Sequence, residues 1–137
     1  MAKQDIKKLW RAVFLDRDGV INQAVVRNGK PYPPNDIEGL VILPGVGKAL
    51  FLLKKAGLLI IVVTNQPDVA KGIQKREVVE AINNKLQTQL PIDEIIVCYH
   101  EDSDNCDCRK PRPGMLLQAA QKYNIDLARS FLVGDRW

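Results

Sequence analysis

The chain has 137 residues, 46% of them hydrophobic and 26% charged, which suits one globular domain able to bury a core. Its N-terminal MAKQDIKKLW lacks the apolar stretch of a signal peptide, and no run approaches the roughly 18 apolar residues of a membrane span, so a cytoplasmic protein is expected. The net charge of +4 comes from scattered Lys and Arg without interleaved aromatics, a pattern that fits a solvated surface and not a nucleic-acid partner.

The first predicted element is a strand, RAVFLD at 11–16, ending on an aspartate and followed by a loop with Gly19, Gly29, Pro31, Pro33 and Pro34. After Pro44-Gly45, Val46, Ala49, Leu50 and Leu53 fall at helical spacing and Gly57 supplies a stop, which predicts a helix over 46–56. LLIIVVT at 58–64 reads as a buried strand. Val79, Ile82, Leu86 and Leu90 repeat the helical spacing up to Pro91, and DEIIVCY at 93–99 is the third strand. A third helix is predicted from about Pro113, with Leu116, Ala119, Ala120 and Tyr123 on one face, and SFLVG at 130–134 is the fourth strand. Strands alternating with helices imply right-handed crossovers and an α/β fold, a Rossmann-like, mostly parallel sheet with helices on both faces.

In such sheets ligands bind beyond the carboxyl ends of the strands. Strand one delivers Asp16, Arg17, Asp18 and Gly19 there, and strand two delivers Thr64, Asn65 and Gln66. Arg109 and Lys110 follow strand three, and Gly134 and Asp135 end strand four. Singly, each set has an ordinary reading, since Asp-Gly marks turns and Thr-Asn can cap a helix. Acid, hydroxyl, lysine and acid at successive strand ends together point to a phosphate site. A phosphate dianion repels an attacking carboxylate, so clustered aspartates call for a hard divalent ion such as Mg²⁺, with Asp16 and Asp135 to hold it. Lys110 and Thr64 suit the phosphoryl oxygens, assisted by backbone amides after Asp16, and Asn65 and Arg109 beside them are further candidate substrate binders. Of the two carboxylates in D-x-D, one can attack while the other handles protons.

DRDGVIN, VVTNQ, CRKPRPGM and VGDR, in that order, resemble the motifs of the haloacid dehalogenase-like phosphatases along the whole chain. CYHEDSDNCDCRKP is similar to the zinc-containing branch of histidinol phosphatases and D-glycero-D-manno-heptose 1,7-bisphosphate 7-phosphatases. The resemblance implies Asp16 as nucleophile and Asp18 as general acid and base. It implies Thr64 and Lys110 as phosphate binders, with Mg²⁺ on the carboxylates of Asp16 and Asp135 and the carbonyl of Asp18. A heptose bisphosphate is the preferred substrate, histidinol phosphate the alternative. Family members normally continue past residue 137 with another strand and helix. The chain is therefore expected to be a single domain lacking that segment, to bind Mg²⁺ weakly or only bind phosphate, and to stand as a monomer or an edge-mediated dimer. A phospho-receiver domain also gathers aspartates, Thr and Lys, but its phosphorylated aspartate follows a later strand.

Cys98, His100, Cys106 and Cys108 comprise every cysteine and the sole histidine of the chain. C-x-H-x5-C-x-C offers three thiolates and an imidazole, a complete tetrahedral set for structural Zn²⁺. A disulfide would leave one thiol over and is unexpected in the cytosol. Pinned by zinc, the loop fixes Arg109 and Lys110 beside the phosphate. The gaps between elements are too short for a cap domain, so the expected site is open, with residues 22–36 and the zinc loop selecting the substrate. The expected sheet order, numbering the predicted strands, is 3-2-1-4, with strand four an edge.

Overall fold

The structure, a computed structural model, describes residues 8–134. Its main sheet holds β1 (Ala12–Leu15), β4 (Leu59–Asn65), β5 (Glu94–Cys98) and β6 (Phe131–Val133) in the order β5-β4-β1-β6. All three pairings are parallel, with Val13 beside Ile60 and Phe131, and Val63 beside Ile96. This is the predicted order, and β6 is the exposed edge, with Phe131, Leu132 and Val133 at 54%, 45% and 44% exposure.

Strict alternation along the strands divides the core. Val13, Leu15, Ile60 and Val62 face Leu50 of α1 (Val46–Lys55) and Ile82 and Leu86 of α3 (Arg76–Gln89). Ala12, Phe14, Ile61 and Val63 face Met115 and Ala119 of α4 (Gly114–Tyr123). Both faces are covered, which is why β1 and β4 read as unbroken apolar runs. Full burial of each such large aliphatic contributes about 1.5–3 kcal/mol. The inward seam of α1 is Val46, Leu50 and Leu53, whereas Ala49, predicted on that face, is exposed. The helix stops as predicted at Gly57, whose φ of 90° closes the last turn.

Two elements were absent from the sequence reading. Residues predicted as loop form an antiparallel hairpin, β2 (Val25–Arg27) and β3 (Lys30–Tyr32). Its turn is Asn28-Gly29, with φ of 52° and 75°, the mirror-image turn whose twist matches a hairpin. A short helix, α2 (Pro67–Ala70), follows β4. No helix among the described residues is long and apolar enough to cross a membrane.

Candidate active site

Asp16 leaves the carboxyl end of β1 with its N–H donated to the Val133 carbonyl at 3.0 Å, so β6 anchors it. The chain then turns tightly, with the N–H groups of Val20, Ile21 and Asn22 converging on the Arg17 carbonyl at 3.2, 2.8 and 3.2 Å. Gly19 takes φ 93° in this turn, a conformation that a side chain would strain. Ile21 drops into the core beneath and holds the turn down.

Lys110 arrives from the other side. Its ammonium lies 2.8 Å from Asp16 Oδ1 and donates to the Val63 carbonyl at 3.0 Å, with both side chains largely shielded from water. Its backbone is clipped by Asn65, whose Oδ1 accepts from the Lys110 N–H at 3.0 Å and whose amide returns a bond to the Lys110 carbonyl at 3.4 Å. Asn65, proposed from sequence as a substrate binder, thus spends both ends of its amide on positioning Lys110. The Lys110-Pro111 peptide is cis.

Asp18 accepts from Arg17 Nε and Nη2 at 3.2 and 3.1 Å and from Asn22 at 3.0 Å on one oxygen, and from Gln66 at 2.9 Å on the other. The same Gln66 amide donates to Thr64 Oγ1 at 2.9 Å. Because the Thr64 oxygen accepts this bond, its hydroxyl hydrogen is left for another acceptor, the property a phosphate binder needs. Asp16, Asp18, Thr64, Asn65, Arg109 and Lys110 line one open cleft of about 440 Å³. Asp135, expected as a second metal carboxylate, lies outside the described residues.

The cysteine loop is attached to this cleft through the sheet. Cys98 pairs with Asn65 in register, and its carbonyl accepts from the Gln66 N–H at 2.8 Å. The donor atoms of Cys98, His100, Cys106 and Cys108 all lie within 4.8 Å of one another. Tetrahedral zinc with bonds of about 2.3 Å to sulfur and about 2.0 Å to nitrogen sets edges of about 3.5–3.8 Å. Cys106 Sγ lies 3.6 Å from Cys98 Sγ and 3.7 Å from Cys108 Sγ, and His100 Nδ1 lies 3.8 and 3.4 Å from those same two sulfurs. One edge departs, because Cys98 and Cys108 stand as a disulfide and Cys106 as the free thiol. The sequence reading set a disulfide aside; four donors crowded this closely bring two thiols within bonding reach. The pair and zinc use the same atoms and exclude each other, and with Cys98 and Cys108 reduced the donor set fits zinc.

Beside the loop, burial raises the Tyr99 phenol above its ordinary value, opposed by the Arg76 guanidinium stacked 4.3 Å over its ring, so Tyr99 is neutral at physiological pH. Gly114 supports the loop from α4. A Cβ at this position would sit 2.3 Å from the Asp107 carbonyl oxygen and 2.9 Å from Cys108 Cα, backbone atoms that cannot step aside alone. Gly114→Ala is expected to displace the loop, costing about 1–3 kcal/mol and lowering zinc retention. Thermal melting and metal content check this, and a variant that melts and holds zinc like the parent refutes it.

Sequence reasoning placed Arg17 and Gln66 at the strand ends without giving them a role, and missed Asn22 and Asn83 as site residues. Asn83 left a signal: it shares the helical face of Val79, Ile82 and Leu86, where a polar residue is out of place.

Comparison with known proteins agrees with this geometry. Residues 13–136 match the family described as Polynucleotide kinase 3 phosphatase. The chain is 37% identical over 137 residues to the D-glycero-β-D-manno-heptose-1,7-bisphosphate 7-phosphatase of Photorhabdus laumondii, covering 91% of this chain and 70% of that protein. The enzyme of the same name from Escherichia coli K12 is also 37% identical, with 91% and 69% covered. A solved D,D-heptose 1,7-bisphosphate phosphatase from B. bronchiseptica, complexed with magnesium and phosphate, is similar at TM-score 0.77 and 34% identity, covering 91% of this chain and 70% of that one. With its ordered strand-end residues gathered in one cleft, the chain belongs to the haloacid dehalogenase-like phosphatases, in the branch that contains the heptose bisphosphate 7-phosphatases.

Proposed function

We propose that the chain hydrolyses a heptose 1,7-bisphosphate at its 7-phosphate, with Asp16 as nucleophile and Asp18 as proton carrier. The observation that carries this reading is the Asp16–Lys110 contact of 2.8 Å in a cleft shared with Asp18 and Thr64. A Lys110 cation at that distance suits a site where an anionic phosphate must approach a carboxylate. Arg109, on the same cleft, adds a second cation for a substrate with two phosphates. Two relatives at 37% identity carry this activity in their names.

In the proposed reaction a carboxylate oxygen of Asp16 attacks phosphorus in line and the bond to the sugar oxygen breaks. Asp18 donates a proton to that leaving oxygen, then takes one from the water that cleaves the aspartyl-phosphate and frees Asp16. Thr64 and Lys110 hold the phosphoryl oxygens throughout. The carboxylates of Asp16 and Asp135 and the carbonyl of Asp18 are hard oxygen donors that fit Mg²⁺, which when bound neutralises charge on the phosphoryl group. The three thiols suit zinc in a reducing cytoplasm.

The deciding experiment is steady-state phosphate release with Mg²⁺ from a panel of heptose 1,7-bisphosphate, histidinol phosphate and other sugar phosphates. The expected result is the highest kcat/KM on the heptose bisphosphate. A higher value on histidinol phosphate overturns the substrate, and no release from any member overturns the reaction.

A further inference from the structure

Asn83 sits on α3, a sequence separation of 66 from Arg17, yet its Oδ1 accepts from Arg17 Nη1 at 2.8 Å. Both residues are buried, Asn83 at 7% and Arg17 at 0% exposure. Arg17 faces inward between two acids that face the cleft, and its remaining edge is turned onto the Asp18 carboxylate through Nε and Nη2. A guanidinium is a rigid planar fork, so an acceptor that fixes one nitrogen sets the direction of the other two. Asn83 is that acceptor. On the far side, Gln66 Nε2 holds the second Asp18 oxygen at 2.9 Å. The carboxylate is therefore gripped on both oxygens, and its outer support comes from a helix that lines none of the cleft.

We propose that Asn83, acting through Arg17, is a positioning residue that keeps the Asp18 carboxylate aimed at the leaving-group oxygen. The proposal rests on the proton-transfer role assigned to Asp18 above. Misaimed by a fraction of an ångström, a proton carrier loses most of its effect. Its role as base toward water is common to all substrates, but in the first half-reaction, which kcat/KM reports, the loss falls only on substrates whose leaving group needs the proton. An alkoxide leaving from a sugar phosphate needs it. The resonance-stabilised nitrophenolate leaving from p-nitrophenyl phosphate does not. A kcat/KM defect confined to the first substrate therefore separates misplacement of Asp18 from general loosening of the fold.

The test compares Asn83→Leu, similar in size but without the acceptor, with Asn83→Asp, which keeps an acceptor for Arg17. For Asn83→Leu, kcat/KM on the sugar phosphate is expected to fall roughly 10- to 100-fold, against at most about 3-fold in kcat/KM on p-nitrophenyl phosphate, whereas kcat falls on both through the shared hydrolysis step. Asn83→Asp is expected to restore the ratio of the two kcat/KM values. Equal losses of kcat/KM on both substrates, or an unchanged ratio in Asn83→Leu, overturn the proposal. Should Asn83→Leu not fold, Arg17→Lys keeps the charge without the fork and is judged by the same ratio. Crystal structures of the variants give a readout independent of turnover. An Asp18 carboxylate seated on Arg17 and Gln66 as in the parent overturns the proposal, and one turned away supports it. A parent protein inactive on both substrates would sink the phosphatase reading alone, leaving the crystal readout to decide this one.

Discussion

Asp16→Asn is expected to lower turnover by on the order of 10⁴-fold or more while leaving the fold in place. The substitution keeps size and shape. An amide oxygen in the place of Oδ1 still accepts from the Arg17 N–H, 2.9 Å away, and from Lys110. What disappears is the negative charge that attacks phosphorus in the proposed reaction, and a neutral amide cannot form the acyl-phosphate linkage. Loss of the ion pair between these two largely shielded groups should cost some stability, limited because the ammonium keeps the amide oxygen of residue 16 and the Val63 carbonyl as acceptors. With less repulsion between residue 16 and the substrate, phosphate binding is expected to persist or tighten. Single-turnover phosphate release, a thermal melt and a phosphate titration check the three parts. Near-native Mg²⁺-dependent turnover by this variant would show that Asp16 is not the nucleophile.

The second large effect is expected from the cysteine loop. Cys108→Ser removes one of four donors and, with it, most of the zinc affinity, since a hydroxyl does not ionise to replace a thiolate. The consequence travels in one step, because residue 108 immediately precedes Arg109 and Lys110. A loosened loop leaves the Lys110 backbone to rely more heavily on the Asn65 clip. Activity is therefore expected to fall about 10- to 100-fold, with zinc content dropping from near one per chain towards zero. Hydrogen exchange should localise the change: amides of β5 stay protected, while those after residue 99 lose protection up to the start of α4. Elemental analysis of parent protein, purified without chelator, that finds no zinc would remove the basis of this prediction.

Both arguments start from residues that the sequence already exposed. The strands, the two-faced core and the convergence of Asp16, Asp18, Thr64 and Lys110 were legible because each depends on local periodicity and on where a parallel strand must end, whereas the order of the strands was an expectation that periodicity alone does not fix. The hairpin was missed although Asn28-Gly29 announces it, because Pro31 and its neighbours drew the whole segment into a loop reading. What could not be read is the inward side of the site. Nothing local says that Arg17 is fully buried, that Gln66 links Thr64 to Asp18, or that Asn83 completes the set from another helix. The Arg17–Asn83 and Gln66–Asp18 bonds join residues 66 and 48 apart in the chain, and only tertiary packing reveals them. The choice between thiol, disulfide and metal at Cys98 and Cys108 likewise depends on chemistry supplied from outside the chain.

The central place of β1 also has a bearing on how the molecule comes into being. The Ala12 N–H donates to Ser130 Oγ across a separation of 118 residues, and the Asp16 N–H reaches the Val133 carbonyl. Closing so long a loop adds only about 0.6 kcal/mol per doubling of length, but the search for the partner is slow. A chain emerging from the ribosome can pair β1 with β4 well before β6 exists. During that interval one side of β1 offers bare peptide groups to any passing strand. The nascent molecule is then most exposed to mispairing, and Asp16, the proposed nucleophile, gains its anchor only after β6 has formed.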